Sequence, residues 1–134
     1  MNDSTLKYFT KETTKDKLRN KIVAMQKPGV PFWDSFAEQI LYESNPDNPN
    51  KTNIPLWNLS CTKRDLSLYC KLGMKPNRHW QVSHVKNYFG ITGTKHKLEE
   101  RFIEIYLTVM LLVMPETIIK HDDVEMLDNF RETL

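Results

Sequence analysis

Glycine is scarce in this 134-residue chain, with four, and cysteine is scarcer, with two. So few glycines leave no Gly-rich loop to cradle a nucleotide, and no dinucleotide-binding fingerprint is present. Cys61 and Cys70 do not make a disulfide framework, which points to a reducing compartment. Neither has a Cys-x-x-Cys neighbour, although Cys61, Cys70, His79 and His84 fall in the order of a zinc site. The intervals between those four hold eight, eight and four residues, unlike the close pairing of short zinc motifs. No metal and no cofactor are therefore expected. Long apolar runs are missing as well. The most apolar stretch, residues 102–114, is too short and too flanked by charge to span a membrane. The first residues, MNDST, lead into a charged segment without an apolar run, so neither a signal peptide nor a membrane role is expected. The expected location is the cytoplasm.

A catalytic set is also lacking. Cys70 with His79 or His84 has no third group to orient the pair. His121-Asp122-Asp123 reads as a helix start, where acids are favoured by the dipole. The chain is expected not to be an enzyme.

What is present is helical periodicity. The length fits one domain over residues 1–134, large enough to bury a core. Residues 1–13 are polar and lack a clear period, so a mobile arm or an edge segment is expected there. Leu18, Ile22 and Met25 recur at helical spacing over 14–26. Ser35 and Glu38 have capping-box spacing ahead of a face formed by Phe36, Ile40 and Leu41. Asn45-Pro46-Asp47-Asn48-Pro49-Asn50 is a loop, and Ile54-Pro55-Leu56-Trp57 folds it back on the core. Thr62 and Asp65 repeat the capping-box spacing, opening a helix that ends at Gly73. Val82 to Phe89 predicts a short helix, with Ser83 as its N-cap and Gly90 after its end. The longest helix runs from about Lys95 to Met114, and from Phe102 onward it is apolar nearly all round. Pro115 ends it, and Asp122 or Asp123 starts a last helix carrying Val124, Leu127 and Phe130. No strand pattern and no internal repeat emerge. The expected fold class is all-α, a compact orthogonal bundle of five to seven helices around the central apolar helix at about 95–114.

Charge is unevenly spread. Residues 62–101 carry a balance of +6, residues 102–134 one of −5, and the first 61 residues +1. The basic block centres on Thr92-Gly93-Thr94-Lys95-His96-Lys97, a glycine turn opening a helix. A helix start offers backbone N–H groups and partial positive charge, which suit a phosphate. Lys95, Lys97 and Arg101 add formal charge at the same place. Upstream, Lys75-Pro76-Asn77-Arg78-His79-Trp80 interleaves bases with an aromatic, a composition that suits nucleic acid.

The run from Gly93 through Lys95, Leu98 and Arg101 to Phe102 resembles the second half of a SAP motif, a helix–turn–helix-like DNA-binding module. That pattern runs Gly-x-Lys-x-x-Leu-x-x-Arg-Leu, with Phe102 here in place of the final Leu. Val82, Val85-Lys86 and Phe89 resemble its first helix, and Gly90-Ile91 its Gly-Leu. The likeness covers residues 82–102 and departs in one respect, a link several residues short of the family's. The resemblance implies phosphate contacts by Lys95 and the turn, and non-specific or weakly specific binding to duplex DNA. A base-reading helix–turn–helix fits less well, because His96 and Glu99 occupy the positions such a helix buries.

The expected function is that of a non-enzymatic nucleic-acid-binding accessory protein, with DNA favoured over RNA. The expected contact set is Lys75, Arg78, Lys86, Thr92, Gly93, Thr94, Lys95, Lys97 and Arg101. The alternative is an adaptor or inhibitor docking on a protein through its charge-split surface or its apolar helix 102–114, and the same stretch, Phe102 to Met114, could join a protein partner or a second copy in a homodimer. Small size and dense helicity suit an accessory protein of a virus, phage or mobile element.

Overall fold

In a computed structural model of the chain, the described backbone covers residues 3–43, 54–121 and 124–134, and the described side chains 4–38, 54–120 and 125–134. These residues form eight helices and no strand: α1 Asp3–Thr10, α2 Glu12–Met25, α3 Pro31–Glu43, α4 Ile54–Leu72, α5 Val82–Phe89, α6 Lys95–Val113, α7 Pro115–His121 and α8 Val124–Glu132. The all-α expectation holds, with more helices than the sequence pattern announced.

The differences lie at helix starts. Residues 3–10 are a helix, not an arm: Thr5 and Phe9, four apart on one face, are both buried. The third helix begins at Pro31, four residues ahead of Ser35, with the Asp34 amide donating to the Val30 carbonyl at 3.0 Å. Proline suits that first turn because its missing N–H would have no helical partner there. Likewise α4 begins at Ile54 with Pro55 next to it, and Thr62 and Asp65 lie inside it. The N-cap of α5 is Gln81, one residue before its first turn, not Ser83. Pro115 does more than stop α6, because it opens α7. The Asn45–Asn50 loop, Asp122 and Asp123 lie outside the described residues, as do the side chains of Ile40 and Leu41.

The chain divides into two units, residues 1–26 with 104–134, and residues 27–103. Helix α6 contributes its first half to the second unit and its second half to the first. In the unit of residues 1–26 and 104–134, α1 packs on α2 and α7. Phe9 stacks on Phe130 of α8, with ring centroids 6.5 Å apart. Lys21 of α2 ties this unit together: its ammonium is 3.3 Å from a Glu104 carboxylate oxygen and 4.7 Å from the Phe130 ring centroid. Its aliphatic stem is largely covered, which is how a long cation caps an apolar core. From Ile105 to Leu111 every side chain of α6 is buried. The buried Thr108 hydroxyl donates to the Glu104 carbonyl of its own helix at 2.6 Å.

In the unit of residues 27–103, α3 packs on α4 and α5. Its core is aromatic. Phe32 meets Trp33, Phe36, Tyr88 and Phe89, and Phe89 meets Phe102 edge-on at 5.1 Å. The Asn58 amide donates to the Tyr88 hydroxyl at 2.8 Å, joining α4 to α5.

Candidate nucleic-acid interface

The site is built where α4, the loop after it, and the start of α6 converge within the unit of residues 27–103. Helix α5 enters first. It buries Val85 and Phe89 and ends at Gly90, whose φ of 66° is left-handed. The Ile91 amide then reaches back to the Lys86 carbonyl at 3.1 Å, the six-residue closure that a left-handed glycine permits. This closure turns the chain into residues 91–94 and so aims the start of α6.

The turn itself is held from inside. Gly93 has φ 122°, and a Cβ there would lie 3.0 Å from Lys97 Cβ, 3.1 Å from Arg101 Nη1 and 3.3 Å from the Leu98 amide nitrogen. Only a bare backbone fits. Arg101 donates through Nη1 to the Thr92 carbonyl and to the Thr92 hydroxyl, the latter at 3.1 Å. Arg101 thus folds back over the bend one turn into α6 and fastens it. The structure places it as a brace of the turn, where the sequence had marked it as a contact. Leu98 and Phe102 are the buried pair that anchors the α6 start, while His96 is exposed and Glu99 half-buried.

Helix α6 starts against its own dipole. Lys95, His96 and Lys97 occupy its first turn, and that turn holds no acid. Helix starts ordinarily favour Asp and Glu, each charge being worth about 0.3–1 kcal/mol. Among the described residues, the ion pair made by these cations joins Lys97 to Glu100 at 3.7 Å, with both side chains about two-thirds exposed or more. Such a pair holds little energy and is screened by salt.

Tyr69, in the last turn of α4, belongs to this surface although no motif marks it. Its ring meets Trp80 at 5.1 Å between centroids, and the Lys95 ammonium stands 5.1 Å from the same ring. One tyrosine therefore brings the basic loop and the helix start together. The loop is shaped by Asn77, whose side-chain oxygen accepts from the His79 amide at 2.9 Å and whose carbonyl accepts from the Trp80 amide at 3.2 Å. Trp80 is half-buried against Tyr69, and Lys75 and Arg78 are exposed. Arg78 Nε donates to His79 Nε2 at 3.2 Å. Lys86 is half-buried on α5. Of the nine residues marked from the sequence, Lys75 and Arg78 are exposed on the loop, Thr92 to Thr94, Lys95 and Lys97 form the turn and the first turn of α6, the exposed Arg101 reaches back to Thr92, and Lys86 stands on the preceding helix.

Cys70 belongs to the same junction. Its thiol donates to the Lys95 carbonyl at 3.3 Å, and burial, helped by Glu99, pushes its pKa up against the opposing pull of Lys95 and Lys71. A thiol held protonated is a structural donor and a poor nucleophile. Cys61 lies more than two turns away on the same helix. Among the described residues, no three His, Cys, Asp or Glu side chains gather where a metal ion would fit.

Between Phe102 and Met114 the chain buries most side chains, and Val113 is the exposed large apolar one. No described helix is long and apolar enough to cross a membrane. Comparison of the chain with protein-family models, with curated proteins and with solved structures gives no match in any of the three.

Proposed function

We propose that this chain is a non-enzymatic accessory protein that binds nucleic acid through the α5–turn–α6 segment and the loop at 75–80. The observation that carries the reading is the cationic first turn of α6, joined through Tyr69 to the basic loop. Cations at a helix start repel the helix dipole and one another, and a bound phosphate reverses the sign of both interactions. Lys75, Arg78, Lys95 and Lys97 are the phosphate contacts, and the amides of the 92–94 turn add donors. Arg101 is a positioning residue that keeps the turn in shape. The likeness of residues 82–102 to a SAP motif favours duplex DNA over RNA. Docking through helix residues 102–114 is the weaker reading, because most of that apolar stretch is already covered.

Fluorescence anisotropy with labelled duplex DNA, single-stranded DNA and RNA tests this directly. Four phosphate contacts imply a log–log salt slope near −3.6, or about a 150-fold loss of affinity between about 50 and 200 mM salt. Lys95→Glu with Lys97→Glu should abolish most binding without lowering helicity, since acids suit a helix start. Arg101 is kept out of that variant because its loss also loosens the turn. An absence of binding at the lower salt, or an affinity indifferent to the double substitution, would end the proposal.

A further inference from the structure

The unit of residues 1–26 and 104–134 carries a second cationic site that the nucleic-acid reading does not use. Ser4, Lys7, Tyr8, Lys11 and Arg131 line an open concavity of about 380 Å³, a size at the lower end of small-molecule sites. Ser4, Lys7, Tyr8 and Lys11 recur at helical spacing, so they share one side of α1 and its exit. Arg131 comes from the last turn of α8. Lys11 also stands at the N-cap of α2, where the backbone turns extended and the partial positive charge of a helix start is added.

Among the described residues, the lining holds three cations and two hydroxyls and no carboxylate. The acids that follow it in sequence are engaged elsewhere: Glu12 pairs with Lys15 at 3.8 Å and Asp16 with Arg19 at 2.8 Å. Among the described residues, no ion pair involves Lys7, Lys11 or Arg131. Three like charges around one hollow repel each other, and an anion with two charges turns that repulsion into attraction. The Arg131 guanidinium carbon lies 4.2 Å from the Tyr8 ring centroid. That contact fixes the guanidinium over the ring, and a planar fork so held suits the oxygens of a phosphate. It also covers a ring face that a base would otherwise stack on.

We infer that this hollow binds the phosphomonoester group of a small molecule. Lys7, Lys11 and Arg131 neutralise the phosphate, and the Ser4 and Tyr8 hydroxyls donate to it. The inference is independent of the nucleic-acid reading, which concerns other residues. It is tested by NMR titration of the full chain at constant ionic strength, with inorganic phosphate and glucose 6-phosphate as probes. Saturable amide shifts in the neighbourhood of Ser4 to Lys11 and Arg131 are expected, separate from any response at the start of α6, with the sugar phosphate binding the tighter of the two. Lys7→Gln with Lys11→Gln should weaken binding by about tenfold or more, the loss of charge-assisted contacts. The spectrum of that variant reports whether its fold is intact. Lys27→Gln, at an exposed lysine outside both cationic sites, should leave the titration unchanged. Absence of saturable shifts at millimolar probe, or an unaltered response in the Lys7/Lys11 variant, would overturn the inference. Equal affinity for the two probes would assign the hollow to the free ion and overturn the phosphomonoester assignment.

Discussion

Phe89→Ala should cost about 3–5 kcal/mol of unfolding free energy, a large share of the roughly 5–15 kcal/mol that holds a typical domain together. Phe89 is 2% exposed and meets three rings: Phe32 at 5.1 Å, Tyr88 at 4.9 Å and Phe102 at 5.1 Å. Helix α5 is eight residues long, too short to persist on its own propensity, so it depends on packing. Its buried residues are Val85 and Phe89, and Phe89 brings the larger area. Removing that ring takes away the transfer energy of a phenyl group and leaves a hollow among aromatic neighbours that cannot collapse to fill it. Urea unfolding followed by circular dichroism gives the measurement. Phe89→Leu should recover most of the loss, costing nearer about 1.5 kcal/mol. A deficit under about 1 kcal/mol for the alanine variant would mean that this cluster does not hold the unit of residues 27–103.

The second large effect belongs to Gly90→Ala, expected to cost roughly 2–5 kcal/mol. Two causes add. An L-residue at φ 66° loses about 1–2 kcal/mol to the left-handed conformation. The added Cβ would also stand 2.7 Å and 3.0 Å from the two methyl carbons of Val30, an overpacking worth about 1–3 kcal/mol. Valine cannot swing aside easily, because branching at Cβ restricts its rotamers. The causes separate in a double-mutant cycle. In a Val30→Ala background the steric part vanishes and the Gly90 substitution should cost only about 1–2 kcal/mol. Equal costs in both backgrounds would show that the approach of Val30 is not what keeps glycine at this position.

Much of the helix content was legible because packing leaves a period in the sequence. Leu18 and Ile22 on α2, Val85 and Phe89 on α5, and Leu127 and Phe130 on α8 are buried as their spacing implies. Gly90 marked an end correctly because a left-handed residue is chemically distinctive. Helix starts were harder to read. The spacing of Ser35 with Glu38, and of Thr62 with Asp65, also arises inside helices, and proline at Pro31 and Pro55 sets the true beginnings. In α1 a polar sequence hides the two buried positions Thr5 and Phe9. At the candidate interface the cations were visible from composition alone. Their arrangement was not, because the contact of Tyr69 with Lys95 and the reach of Arg101 to Thr92 are tertiary and leave no pattern of spacing. The hollow lined by Lys7, Lys11 and Arg131 was hidden for the same reason, since α8 is distant from α1 in the chain.

The cationic opening of α6 carries a consequence for the order in which that helix winds. Its packed residues begin at Leu98, and the turn before them is opposed by its own electrostatics. Winding therefore propagates outward from the apolar interior, and the segment from Lys95 to Lys97 is the last to coil and the first to fray. A phosphate arriving there would complete the helix as it docks, so capture of the anion and closure of the final turn would be one event.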